Sequence, residues 1–365
     1  MTRLLITPCL LVTLTVTSLP LPAQSSVARN ASLLWQVDGT ESGEPFGDLR
    51  DYVLLRDGTV WALDFKDQTI RRYDAKGAPL SSVGRKGSGP GEMRNANGLA
   101  VAPDGAVWVN DPANGRLLVF AASGAPQRAI TLKIGGYGYR WEGWFDTSGY
   151  LIDKEIGKDA QFRRVDRDGT VRGTIPHPEC GLRSTTSEYR AETPGKGMMM
   201  ASYPFTLGGG RVADRRGHFW CASAGGTRVA RLAYGKLDTV ARTAIDIPLL
   251  PVSREERNET VRTVRDRLAK YATSDFDPAK VPTTKSGIAG LHVDNEGRLW
   301  VAHVSPWKRS STTFDVFDGA GKSMFRVTLP IRAVVHLPVI ASGNEFLLAV
   351  MDDDDVIKLA RYRLR

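Results

Sequence analysis

Three ionisable residues occupy the same place in a recurring pattern. Asp51, Glu142 and His336 each stand seven residues before a turn glycine: Gly58, Gly149 and Gly343. The same count from Gly105, Gly217 and Gly297 reaches Gly98, Gly210 and Gly290. Counting eight instead gives Arg50, Asn97, Trp141, Gly209, Ala289 and Val335. Two carboxylates and an imidazole around one narrow opening could hold a divalent cation, calcium or zinc, or one carboxylate could act as a general base. The glycines would leave room for a ligand. The alternative is that Arg50, Asp51 and Glu142 pair with neighbours and solvate the opening, and a register slip of one residue would turn every side chain to the other face.

The elements that must position these residues are short strands. Val83 to Gly124 shows the unit most clearly. A Gly-rich loop (Gly84 to Gly91) leads into a strand at Leu99 to Ala102, a two-residue hairpin turn at Asp104-Gly105, and a second strand at Val107 to Val109. A polar turn (Asp111 to Gly115), a third strand (Arg116 to Phe120) and a fourth (Gln127 to Leu132) complete a four-stranded antiparallel sheet. The six turn glycines are spaced 47, 44, 68, 80 and 46 residues apart. Three intervals match one propeller blade, and two match a blade plus an insertion.

GSGPGEM, NGLAVAPDGAVWVND and NGRLLVF, within Gly87 to Phe120, resemble the NHL repeat. The likeness is closer still to bacterial secreted six-bladed β-propeller proteins related to NHL proteins. It is carried also by GTVWALD from Gly58 and GLHVDNEGRLWVA from Gly290, and extends over nearly the whole mature chain in pattern. The resemblance implies an all-β fold: a six-bladed propeller of four-stranded antiparallel blades, with one helical insertion between blades 4 and 5. It says little of function, since this fold carries lyases, lactonases, receptors and binding modules. NHL-type amidating lyases place histidines and a metal in the channel, where only His336 falls here. Propeller lactonases use a Glu, Asn and Asp metal trio, whose types Glu142, Asn97 and Asp51 match although the surrounding motifs do not.

Taken in order, the chain begins with Arg3 and an apolar run from Leu4 to Leu21, broken by Pro8 and Pro20 and followed by small Ala23. This reads as a signal peptide over 1–23, the rival being a membrane anchor. The mature propeller spans 24–365, exported to the periplasm or beyond, without a membrane span after cleavage and monomeric. Its net charge, +9 with the leader and +8 without Arg3, is spread out. No basic tract with interleaved aromatics appears, which argues against a nucleic-acid partner. Blade 6 runs out after three strands, so Ser32 to Asp38 is expected to supply its outer strand and close the ring.

The two insertions run over 176–203 and 249–286. The second holds a helix, with Ser253 and Glu256 as a capping box and Val261, Val264, Leu268 and Tyr271 as a narrow apolar stripe meant to lie on the propeller. Connections between blades emerge on the face of the second-to-third-strand turns. The Gly-rich loop, both insertions and the turns at Asp64–Gln68, Asp111–Gly115, His303–Ser311 and Asp352–Asp355 therefore crowd one rim. His303, and Tyr203 beside Met198 to Met200, join the ligand-binding candidates there, with core packing the other use of the methionines and Tyr203. Cys180 and Cys221 are expected to form a disulfide closing about 40 residues, worth roughly 3–4 kcal/mol, the alternative being two reduced thiols.

The Asp352–Asp355 run lacks the spacing of a calcium loop and reads as an acidic turn; the Gly-rich loop lacks the Gly-Lys-Ser ending of a phosphate loop. No nucleophile elbow or zinc signature is present. Two function classes follow: a binding or scaffold module for a peptide, glycan or protein ligand on the channel-mouth face, or a metal-assisted lyase or hydrolase with its site at that mouth.

Overall fold

The computed structural model describes residues 26–132, 139–155, 161–178, 188–195, 197–205, 210–222, 228–234, 239–244, 247–305, 307 and 310–365. Residues 1–23, the expected signal peptide, and Cys180 lie outside them. The chain opens with β1 (Val27–Arg29) and β2 (Ala31–Val37). A three-stranded sheet follows, β3 (Leu49–Leu54), β4 (Val60–Asp64) and β5 (Thr69–Tyr73). The second sheet is β6 (Gly98–Val101), β7 (Val107–Asp111), β8 (Arg116–Phe120) and β9 (Pro126–Thr131). The third is β10 (Trp144–Phe145), β11 (Leu151–Lys154), β12 (Phe162–Val165) and β13 (Val171–Ile175). The first insertion forms β14 (Glu188–Thr193) and β15 (Gly197–Ser202). The fourth sheet is β16 (Arg211–Asp214), β17 (His218–Ala222), β18 (Arg228–Ala233) and β19 (Thr239–Ala244). The second insertion contains β20 (Leu250–Pro251), α1 (Arg254–Leu268), β21 (Thr273–Ser274) and β22 (Thr284–Lys285). The fifth sheet is β23 (Ile288–Val293), β24 (Leu299–His303), β25 (Thr312–Phe317) and β26 (Ser323–Leu329), joined by β1. The last contains β27 (Arg332–Ala333), β28 (Ile340–Ser342), β29 (Glu345–Met351) and β30 (Ile357–Leu364), joined by β2.

The expected clasp is present: β2 pairs antiparallel with β30, from Ala31 opposite Leu364 to Val37 opposite Leu359. The sequence reading did not anticipate that β1 pairs parallel with β26, Val27 opposite Phe325. The first sheet departs from four regular strands, because beyond β5 only isolated bridges form, Ile70 with Val83 and Tyr73 with Pro79.

The hairpin turn is also longer than expected. Ala102 N–H bonds to Ala106 O and Gly105 N–H to Ala102 O, enclosing Pro103, Asp104 and Gly105. Gly105 takes φ +87°, a left-handed conformation that glycine adopts without steric cost, and Asp104 Oδ1 accepts the N–H of Ala106 at 3.1 Å. The sequence around Gly58 folds the same way, with Gly58 N–H on Leu55 O.

Apolar side chains lock neighbouring sheets face to face. Three residues after the turn glycine, Trp61, Trp108, Ile152, Trp220 and Trp300 are buried against the next sheet. In the last sheet the hairpin closes more tightly, Ser342 opposite Glu345, so the phase shifts and Leu347 takes this place. Its cluster includes Leu347, Ala349 and Leu359 of the last sheet with Tyr52, Val60 and Tyr73 of the first. Tyr52 strengthens that junction: its hydroxyl donates to Pro338 O and accepts Ala349 N–H at 2.9 Å.

The two insertions join each other. β14 pairs with β15 and with β21, and Tyr189, Ala191 and Tyr203 pack on Val261, Val264 and Leu268 of α1. The apolar stripe of the helix thus meets the first insertion, which corrects the expectation that it lies on the propeller. A stripe this narrow is covered by one hairpin. The capping box is half formed. Ser253 Oγ accepts Glu256 N–H at 3.1 Å, but the Glu256 carboxylate turns to Lys285 Nζ at 2.6 Å, a buried ion pair. No helix among the described residues is long and apolar enough to cross a membrane.

Candidate functional site at the mouth of the inner strands

The first strands of the sheets line three successive cavities. The first, about 270 Å³, is bounded by Glu142, Arg211, His292 and His336, with Trp144, Phe162 and Phe219 as an aromatic wall. The second, about 150 Å³, shares Arg140, Trp144 and Val293 with the first and adds Asp51 and Leu99. The third, about 630 Å³, lies toward the hairpin turns, bounded by Arg56, Gly58, Asp146 and Arg215. Residue numbers rise along each strand from the first cavity to the third, so the first opens at the end where the strands begin.

Loops on that rim are held by side chains. The Gly-rich loop folds on itself, Gly87 N–H bonding to Met93 O and Gly89 N–H to Glu92 Oε2 at 2.8 Å. Asn114 Nδ2 donates to Gly87 O at 3.1 Å, and Arg116 Nη2 donates to Gly89 O and Glu92 O, both at 2.9 Å. The GSGPGEM and NGR motifs are therefore two halves of one lock. The aspartates closing β4 and β7 anchor the chain entering the first strand of their sheets: Asp64 accepts N–H groups of Gly47 and Asp48, and Asp111 those of Arg94 and Asn95. The acidic run forms a turn, as expected. Asp352 Oδ1 accepts the N–H groups of Asp354 and Val356 and its other oxygen meets Lys358, while Asp355 at φ 60° pairs with Arg332.

Of the residues singled out by counting, Glu142 and His336 face the first cavity, and both are exposed there. Asp51 is buried and engaged, with Oδ2 accepting Leu99 N–H and Oδ1 accepting Arg140 Nε–H, each at 2.9 Å. Burial pushes its carboxyl up against the opposing pull of Arg140. No three His, Cys, Asp or Glu side chains gather to hold a metal ion among the described residues, so Asp51, Glu142 and His336 do not form the expected trio. Arg50 pairs with Asp48 at 2.5 Å and stacks 3.8 Å over Phe65. Asn97 is buried and accepts from Asn110 Nδ2 at 2.9 Å; Trp141 packs in the core and donates Nε1–H to Asp153 at 2.8 Å. His303 bonds Asp315 at 2.8 Å, and Tyr203 is buried in the insertion pair with its hydroxyl accepting Asp277 N–H. These are framework contacts.

The ring glycines also have a framework reason. A Cβ at Gly98 would lie 2.8 Å from Trp141 O, and one at Gly290 would lie 2.8 Å from Val335 O. They admit the neighbouring sheet's backbone. Cys221, expected to bond Cys180, is buried on β17 and is not free.

Counting at seven and eight missed Arg140, Arg211 and His292. Carrying the same count to six and five residues before the turn glycine reaches Arg211, Trp144 and His292, so the signal was there but needed the strand's full depth. His292 is 7% exposed and its Nε2 has no hydrogen-bond partner. Burial, then Arg140, pushes its value down to about 3, so the ring is neutral near pH 7. Burial and Arg140 likewise lower His336. His177 stacks on Phe162 with centroids 5.5 Å apart; burial and then Arg211 and Lys154 bring it to about 4. Burial lowers Arg211 against the opposing effect of Glu142. The mouth thus has two charges committed to each other, Asp51 and Arg140, and two that face the first cavity, Arg211 and Glu142, with Lys154 as a further positive charge that acts electrostatically on the same surroundings.

No protein-family model matches the chain, and no curated protein matches it in sequence. Solved structures match over nearly its whole length. Virginiamycin B lyase from Staphylococcus aureus is 12% identical with a TM-score of 0.50, covering 92% of this chain and 100% of its own. A Bacteroides fragilis protein assigned to export is 13% identical with a TM-score of 0.51, covering 94% and 98%. The RRP9 WD40 repeats are 11% identical with a TM-score of 0.50, covering 93% and 99%. At such identities the likeness speaks for the fold and leaves the activity open. The chain has a β-propeller fold.

Proposed function

We propose that this protein is an exported six-bladed propeller that serves as a binding or scaffold module, taking a peptide, glycan or protein ligand at the channel mouth. Six successive sheets, each locked to the next by an apolar cluster and the last to the first, support the blade count. The β1–β2 clasp supports ring closure. A disulfide between Cys180 and Cys221 and removal of residues 1–23 fit export, as does the likeness to an exported protein. The observation that carries the reading is the first cavity, where Glu142, Arg211 and His336 face open space beside an aromatic wall with no ion pair among the described residues. Concave sites with a few convergent polar groups on an apolar wall are the usual form of a ligand pocket.

The test uses purified protein spanning 24–365. Elemental analysis is expected to find no stoichiometric divalent metal. In hydrogen exchange with a panel of envelope peptides and glycans, the ligand is expected to protect 140–144, 211–213 and 335–339. A stoichiometric metal lost in Glu142→Gln would instead establish the metal-assisted lyase or hydrolase.

A further inference from the structure

Resting on that reading of the mouth, we infer that its ligand presents a carboxylate attached to a flat apolar or aromatic body, with the carboxylate on Arg211 and the body on Trp144, Phe162 and Phe219. Arg211 is half-buried at the start of β16, and its side chain has no hydrogen bond or ion pair among the described residues. A guanidinium held out of bulk water without an acceptor is a strong site for a carboxylate, which it meets with two parallel N–H bonds. Close by, Lys154 and Glu142 act on the same surroundings: both are felt by His177, and Lys154 feels both Arg211 and Glu142. With Asp51 and Arg140 neutralising one another, Arg211 lines this cavity as a cation whose side chain has no partner among the described residues, and Lys154 adds a second positive charge nearby.

The rest of the cavity fixes the body of the ligand. Trp144 and Phe162 meet edge to face at 5.3 Å, and Phe162 lies 5.2 Å from Phe219, giving a continuous aromatic surface. His292 Nε2, buried and unpartnered on the same wall, is neutral and offers one polar contact to a ligand carbonyl or amide. A cavity of about 270 Å³ admits one such residue-sized group and little more. Two sources share this chemistry, the C-terminal aromatic residue of a peptide and a free arylalkanoic acid.

Calorimetry distinguishes them with three probes on the 24–365 protein: 3-phenylpropionate, N-acetyl-Gly-Gly-Phe, and the C-terminal amide of that tripeptide. The acids are expected to bind at least about tenfold tighter than the amide. Arg211→Gln should erase this preference, and Glu142→Gln should strengthen acid binding a few-fold by removing a like charge. Arg215→Gln, at the other end of the passage, should leave it unchanged and shows that a general loss of charge is not responsible. Tighter binding of the tripeptide acid than of phenylpropionate identifies a peptide terminus, and equal binding a free acid. If acid and amide bind equally, or Arg211→Gln keeps the preference, the charge assignment falls while the mouth remains a ligand site. If no probe binds at millimolar concentration, the inference falls. If, in addition, a panel ligand protects only surfaces away from the mouth, the functional reading falls with it.

Discussion

Asp315 shows how the ionisable residues on this rim are used. Its carboxylate is buried on β25, accepts Arg326 Nε–H at 2.6 Å and meets His303 Nε2 at 2.8 Å. Burial alone would raise it, but these bonds prevail and hold it at about 2. The folded value is below the unfolded one near 4, so this contribution is fully present above pH 4 and is lost as pH falls toward 2. Chemical denaturation at pH 5 and pH ~1.5 should show this part of stability, on the order of 2 kcal/mol, vanish in wild type, while Asp315→Asn shows a smaller pH dependence. At Asp51 the counterpart is an ion pair with a half-exposed partner. Asp51→Asn is expected to cost about 2 kcal/mol, less than a fully buried pair because Arg140 keeps some access to water. Its metal content should not change, because the carboxylate is committed to the framework. Readings at this scale went astray for a simple reason: a polar residue at an inner-strand position looks the same in sequence whether it faces the passage, as Glu142 does, or the next sheet's backbone, as Asp51 does.

Among elements, the inner strands carry the tightest constraint. Gly98 and Gly290 lie where a neighbouring carbonyl leaves no space for a methyl group, and neither has the positive φ that would demand glycine on its own. Gly98→Ala and Gly290→Ala should each destabilise by about 1–3 kcal/mol in thermal unfolding, since the opposing atom is backbone and yields little. Gly210→Ala should be milder, as among the described residues its Cβ would meet Leu291 at an ordinary 3.5 Å. The repeat motifs were legible in sequence as turns and strands. What they hold, Asn114 and Arg116 clamping the Gly-rich loop, was not, because the partners are more than twenty residues apart. The helix was legible from its cap and stripe, yet its packing partner lay in the other insertion, about 70 residues away in the chain.

For the molecule as a whole, closure is the main energetic question. β30 would be an open edge without β2, and Val37 and Trp35 pack onto the junction of last and first sheets. A protein beginning at residue 38 is expected to lose roughly 3 kcal/mol or more from that apolar surface alone and to associate through the bare strand. Light scattering and calorimetric unfolding beside the 24–365 protein would check both. A monomeric, equally stable truncation would show that the clasp is dispensable.

The spacing of six turn glycines, the alternation of the strands between them and the unpaired apolar segment before the first sheet were sufficient to specify an all-β repeat whose N-terminal strand pairs with its last. Each of those features is local, or repeats often enough to be read from one chain. The character of the mouth was decided only in three dimensions. Arg211, His292, Trp144 and Phe219 are scattered along the chain between Trp144 and His292, and they converge because radial packing places the starts of distant strands around one opening. The pairing of Asp51 with Arg140, which removes a metal ligand and leaves Arg211 open to the cavity, likewise arises from contact between sheets that no count along the sequence contains.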